Sequence, residues 1–348
     1  MKKIIILFIF VFNFYSQEKE DAQRNNKDYH LAQIDDKALK KINNFPSWIV
    51  IEYAKKLRKE YNFNDALVYL LRIQKKDYNN INILYELAIT YKEISDFKIA
   101  ENYFNQVIEK SKTDQSSIIY NSYYDLIEIY KNQDDMKKYK DTLLKIINLN
   151  KPDREPNYMV LLKNQYKDIL LGNKVFIEKP ELIQFDQLVF LYRASNDSIQ
   201  KAELLLGELL FKEGHYKEAT LYSLHSALKI YSKLIEEFSN ENIDYVFNDS
   251  DELFNLIKDK DRYQAYIKVK DLYRSLYNMS LSLTGLAKSN SNLKHIKNIL
   301  KIIIDYCDKD DYFYTKTKFI YDMSLSELKS YVFHIKEDYL FNHEGSLL

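Results

Sequence analysis

Glycine and proline are scarce here: five Gly and four Pro in 348 residues. All-β folds need glycine at tight turns, and parallel α/β folds need it where strands end. Gly172, Gly207, Gly214, Gly285 and Gly345 are too few and too scattered for either, so the expected class is all-α. Cysteine is scarcer still. Cys307 stands alone, which excludes an internal disulfide and leaves packing to hold the fold. There is no excess of one charge: Lys+Arg and Asp+Glu both number 51, so nothing favours nucleic acid or an acidic lipid surface. The phosphate-binding loop, the dinucleotide fingerprint and the nucleophile elbow are all missing. No two of the six histidines lie three or four residues apart, which removes a helical zinc pair. Asp305, Asp308, Asp310 and Asp311 are the densest acidic group but lack the glycine and closing glutamate of a calcium loop; they read as a solvated interhelical loop. Cys307, among Ile303, Ile304 and Tyr306, reads as a buried inert thiol. No catalytic residue, metal or cofactor is predicted. The 31 tyrosines accompany abundant Lys, Asn and Ile, a bias of AT-rich codons rather than a mark of a stacking surface.

What is present begins with an address. Lys2 and Lys3 precede an apolar run from Ile4 to Phe14, broken only by Asn13. Such a run is short of the ~20 apolar residues that span a bilayer and fits a secretory signal over 1–16 with Ser16 before the cut. The alternative is an uncleaved N-terminal anchor. The absence of a nearby cysteine argues against a lipoprotein. Export to the periplasm is therefore expected, with no transmembrane segment in the mature chain. Residues 17–46 read as a polar tether followed by a short lead-in helix over Asp28 to Asn43 that caps the array, with Leu31, Ile34, Ala38, Leu39 and Ile42 at helical spacing. Phe45-Pro46 ends it.

A repeat follows. Ala54 and Ala66 are twelve apart, with Leu70 and Ile73 after them; Ala88, Ala100, Phe104 and Val107 repeat the pattern at an offset of 34. Small residues at these positions let two antiparallel helices approach to about 8–10 Å. Ser95 is the expected N-cap of the second helix of this hairpin, with Ile94 and Ile99 as a staple. A third unit matches Tyr85-Glu86-Leu87 and Tyr91 to Tyr124-Asp125-Leu126 and Tyr130 at an offset of 39, with Ile127 and Tyr139 in the small positions. These units occupy 47–150. Residues 151–199 break the rhythm, with Pro152, Pro156, Gly172 and Pro180, a predicted helix over Met159 to Leu171 and an extended Val175 to Lys179. A fourth unit at 200–240 carries Leu206, Gly207, Leu210, Gly214, Tyr216, Ala219 and Tyr222, with Gly207 and Ala219 again twelve apart. Residues 241–348 are a C-terminal helical region. Tyr263 to Lys288 and Leu293 to Tyr306 are read there as a long hairpin, and Tyr312 to Leu340 as a terminal cap.

The second unit carries Leu84, Leu87, Ala88, Tyr91, Phe97, Ala100 and Phe104. It resembles the tetratricopeptide repeat (TPR) family in both residue pattern and period. The resemblance implies an α-solenoid of antiparallel helix hairpins wound as a right-handed superhelix, here degenerate toward the C-terminus. It also implies a concave groove lined by the first helices of successive units. Carried over by position, the groove residues are Trp48, Ile51 and Lys55 in the first unit, Asn82, Tyr85, Ile89 and Lys92 in the second, and Asn121, Tyr124, Glu128 and Lys131 in the third. Ile51 stands where a carboxylate-clamping lysine occurs in some members. The function this implies is a non-catalytic scaffold of the bacterial cell envelope that holds a protein or peptide partner. Two other classes remain open: a helical subunit of a cell-wall-acting enzyme, and a small-ligand-binding envelope receptor.

Overall fold

A computed structural model describes residues 45–111, 117–149, 197–241 and 250–335. The predicted signal (1–16), the tether and lead-in helix, the elements over Met159–Leu171 and Val175–Lys179, and the end of the terminal cap lie outside the described residues. Every regular element among the described residues is an α-helix, so this part of the chain is all-α. They fall into two compact units, divided at Thr142.

The first unit opens with α1 (Ser47–Lys59), α2 (Phe63–Gln74), α3 (Ile81–Glu93) and α4 (Phe97–Lys110). It continues with α5 (Ser117–Asn132) and enters α6 (Met136–Asn148), within which the division falls. From α1 to α5 each helix packs on the next, and α3 also touches α1 and α5. The small residues sit where close approach requires them: Ala54, Ala66, Ala88 and Ala100 are all sealed from solvent. Around Ala54 and Ala66, Val50, Leu57, Leu70, Ile73, Ile83 and Leu87 form one core. Ile127 and Tyr139, which replace alanines, are also buried, so the third unit packs around larger side chains.

The hairpins share one turn. Tyr61, Ser95 and Asp134 adopt positive φ of 60°, 64° and 55°, and Gly214 of the second unit adopts 81°. The residue after each donates its backbone N–H back to a carbonyl of the helix just ended: Asn62 to Leu57, Asp96 to Tyr91, Asp135 to Tyr130, His215 to Leu210, at 2.8–2.9 Å. This is the helix-ending motif that satisfies orphan carbonyls through a left-handed residue. Only at Gly214 does the residue lack a Cβ to oppose it. The turn corrects the expected cap: Ser95 is the left-handed residue, and Asp96 is the N-cap, accepting from the Ile99 N–H at 3.3 Å.

The second unit contains α7 (Asp197–Lys212), α8 (Tyr216–Glu241), α9 (Ser250–Ile257), α10 (Asp261–Val269), α11 (Leu272–Leu286), α12 (Asn290–Tyr306), α13 (Tyr312–Tyr321) and α14 (Leu325–Ile335). The expected helix from Tyr263 to Lys288 is two helices, broken at Asp271 with φ of 60°. The expected cap from Tyr312 likewise splits, at Asp322–Ser324, into α13 and α14. α11 is the centre. Every residue from Leu272 to Ser282 is buried, and α7, α8, α10, α12, α13 and α14 all pack on it. A helix covered on all sides must satisfy its polar side chains internally. The Ser275, Ser280 and Thr284 hydroxyls donate to carbonyls four residues back, at 2.9–3.1 Å. Gly207 of α7 marks a close helix approach: a Cβ there would lie 2.9 Å from Ser223 Oγ of α8.

Cys307 is buried at the end of α12, and burial, with Asp311 beside it, pushes its thiol pKa well up. Asp311 caps α13, accepting from the Phe313 N–H at 2.7 Å, so one member of the acidic group ends a helix rather than gathering a cation. Among the described residues no three His, Cys, Asp or Glu side chains are arranged to hold a metal ion. No helix of the described residues is long and apolar enough to cross a membrane.

Candidate protein-binding face

The first helices α1, α3 and α5 carry the predicted groove. Their repeat positions form four rows, at an offset of 34 from α1 to α3 and of 39 from α3 to α5. The first row, Trp48, Asn82 and Asn121, is exposed in all three helices, with Trp48 at 66%. The second row is Ile51, Tyr85 and Tyr124. Ile51 is buried in the core and lines no open surface; Tyr85 and Tyr124 are half-buried. The third row is Lys55, Ile89 and Glu128, half-buried in the first two and exposed in the third. The fourth is Arg58, Lys92 and Lys131, all half-buried.

Two of these rows are occupied by the protein itself. Tyr85 packs edge-on against Phe104, with centroids 5.9 Å apart, and its hydroxyl donates to Asp125 Oδ2 at 3.0 Å. Lys92 Nζ donates to the other oxygen, Asp125 Oδ1, at 2.6 Å and to Glu128 Oε2 at 2.8 Å. The same arrangement recurs one helix earlier. Arg58 donates to Glu86 at 3.0 Å and Glu93 at 3.2 Å. Lys55 donates to Glu52 at 2.8 Å and lies 3.6 Å from Glu86. A base at the end of one first helix thus holds acids on the next, at corresponding positions: Arg58 with Glu86, then Lys92 with Asp125. Tyr85, Lys92 and Glu128 are brought together around Asp125; Trp48, Asn82 and Asn121 stay clear of this ladder.

The electrostatics follow from half-burial. Burial pushes the Glu86 carboxyl above its ordinary value, against the pull of Arg58 and Lys55. Burial likewise raises Asp125, against Lys92 and Tyr85. For Lys92, burial works against the charge, but Asp125 and Glu128 outweigh it and its pKa is raised. At neutral pH the direction that stands is the ionised pair, because both Asp125 oxygens accept a donor within 3.0 Å. Burial and the neighbouring Asp125 carboxylate push the Tyr85 phenol well up, so it stays a neutral donor.

Position-by-position transfer from the repeat missed Arg58, Glu86, Glu93 and Asp125. The sequence does carry a mark of them: an acid and a base six positions apart recur as Glu52 and Arg58, Glu86 and Lys92, Asp125 and Lys131. It carries no mark of the polar cluster inside the second unit. There Glu208 of α7 accepts from Arg274 Nε at 2.6 Å, Arg274 Nη2 at 2.8 Å and Asn278 Nδ2 at 2.9 Å. Gln200 donates to Ser226 Oγ at 2.8 Å and to the Lys270 carbonyl at 3.1 Å. Ser226 and Ser275 hydroxyls meet at 2.8 Å, and Lys229 pairs with Glu203. These groups are sealed between α7, α8 and α11; they fix how those helices meet and offer nothing to a ligand from outside.

No family model and no curated protein matches this chain.

Proposed function

We propose that this chain is a non-catalytic, TPR-like α-solenoid of the bacterial cell envelope, a scaffold that holds a protein or peptide partner along the first helices of its hairpins. The observation that carries the reading is the recurrent left-handed turn at Tyr61, Ser95 and Asp134, which keeps the spacing of the sequence repeat from unit to unit. A shared turn at a shared period supports one supersecondary unit stacked in series, which presents like positions side by side. The partner meets the exposed row of Trp48, Asn82 and Asn121, an aromatic anchor beside two amides that pair with peptide backbone. Tyr85 and Lys92, engaged with Asp125, position the helices that carry this row. Export rests on the basic and apolar start of the chain.

The test is a pull-down of the chain from envelope extract, beside Trp48→Ala with Asn82→Ala and Asn121→Ala. A stoichiometric protein partner is expected, bound at least ~10-fold more weakly by the triple variant while far-UV circular dichroism is unchanged. Absence of a partner, together with hydrolysis of isolated wall material by the pure chain, refutes the scaffold in favour of an enzyme.

A further inference from the structure

α1 is sealed on one side only. In α3, Ile83 and Leu87 are fully buried in a core shared with Ala66, Leu70 and Ile73 of α2, and Thr90, one turn on, is also fully buried. In α5 the equivalent Ser122, Leu126 and Ile129 are again buried. In α1 the equivalents, one repeat period before the α3 positions, are Ile49, Tyr53 and Lys56. Ile49 is part exposed, Tyr53 is 46% exposed and Lys56 is exposed. The face that every later first helix buries against the preceding second helix is open here.

The sequence supplies a matching occupant. The period that relates Phe97, Ala100 and Val107 to Phe63, Ala66 and Ile73 continues one step further upstream, to Tyr29, Ala32 and Leu39. Two acids depart from it: Asp36, where Leu70 and Phe104 stand, and Asp35, where Tyr69 and Tyr103 pack against the core. Leu31, Ile34, Ala38 and Ile42 add an apolar stripe at helical spacing.

We propose that residues 29–42 seat as a helix on the open face of α1, over Ile49, Tyr53 and Lys56, and complete the core at that end. This rests on the repeat period and not on the existence of a partner, so it stands or falls separately from the scaffold.

The test is thiol labelling of the full-length chain. Lys56→Cys places a thiol on the face in question. Lys98→Cys, on the exposed surface of α4, is the reference, and Cys307 is buried, so the parent chain gives the background. The expected result is that position 56 reacts with a maleimide at least ~10-fold more slowly than position 98. Adding Leu39→Asp should bring position 56 to the reference rate and leave position 98 unchanged. Equal rates at 56 and 98 in the chain with Leu39 intact overturn the proposal, whatever the folding of the Leu39→Asp variant. Protection that grows with protein concentration gives the face to a second copy and overturns it too, as does protection that Leu39→Asp leaves in place.

Discussion

Removing Arg274 should be among the most damaging single changes the second unit can suffer. Its side chain is 4% exposed and that of Glu208 is 1% exposed, and two of the guanidinium nitrogens grip both carboxylate oxygens at 2.6 and 2.8 Å. Arg274→Met keeps the volume and the apolar stem but strips the carboxylate of both donors, leaving it only the Asn278 amide at 2.9 Å. An uncompensated carboxylate in a sealed site costs about 3–5 kcal/mol, a large share of the ~5–15 kcal/mol that holds an ordinary domain. Glu208→Leu combined with Arg274→Met removes both charges of the sealed pair; it leaves the Asn278 amide short of a partner and takes from Asp271 the guanidinium nitrogen 3.6 Å away, but no bare carboxylate stays in the sealed site, so the double variant should be more stable than Arg274→Met alone. The coupling between the two sites should reach about 2–3 kcal/mol. Urea unfolding followed by far-UV circular dichroism measures all four corners of the cycle. A loss below ~1 kcal/mol for Arg274→Met, or a double variant whose loss equals the sum of the singles, would refute the claim that this pair acts as a unit.

Three further expectations concern the first unit. Ala88→Leu pushes methylenes into a position with no exposed surface and should lower stability by about 1–3 kcal/mol; a neutral effect in urea unfolding counts against the hairpin register. Ser95→Gly relieves a side chain held at φ of 64° and should raise stability by about 0.5–1 kcal/mol, read from the same unfolding midpoint. Tyr85→Phe should cost about 0.5–1.5 kcal/mol at pH 7 by removing the donor to Asp125. The phenol is raised above its ordinary 10.0 in the folded chain, so its contribution is whole below that value and is lost as pH rises through the raised one. The gap between wild type and Tyr85→Phe should therefore narrow above pH ~10, and a gap that widens there contradicts the assignment.

The all-helical class was legible because five glycines and four prolines are too few for the turns that join strands in a β or α/β fold, whereas the helix-ending turns here mostly do without glycine. The hairpins α1–α2 and α3–α4 were legible because Ala54, Ala66, Ala88 and Ala100 sit at a fixed period that only close packing explains. What escaped was decided by geometry between distant residues. Ser95 looked like a cap because serine favours that place, but the shared turn puts the cap one residue later, at Asp96. The long helix expected from Tyr263 breaks at Asp271, whose left-handed backbone leaves no hydrophobic gap in the sequence. The apolar run through α11 gave no sign that its serines and Asn278 would be buried with Glu208, since an amphipathic reading assigns polar residues to water. Ile51 was placed in the groove by position alone. Its buried state follows from the packing of α1 on α2 and α3, which a single-helix pattern does not contain.

The ladder along α1, α3 and α5 also sets the kind of surface a partner would meet. Repeat positions that transfer suggested as contacts are joined to one another: Tyr85 and Lys92 meet on Asp125, Lys92 also holds Glu128, and Lys55 is joined to Glu52 and Glu86. Charges paired at such close range project little field beyond their own dimensions, and what remains is screened within ~8–10 Å at physiological salt. The exposed row of Trp48, Asn82 and Asn121 carries no charge at all. A partner held by that row is held by aromatic burial and neutral hydrogen bonds, not by ion pairing. Its affinity should therefore change by less than ~3-fold between roughly 50 and 500 mM sodium chloride, measured by titration calorimetry once the partner is in hand. The ladder should respond differently. Lys92→Met frees Asp125 and Glu128 as two acids on that face, and should make binding salt-dependent where the wild type is not. A wild-type affinity that falls steeply with salt would mean that the ladder opens to receive the partner, and that its charges, rather than the neutral row, make the contact.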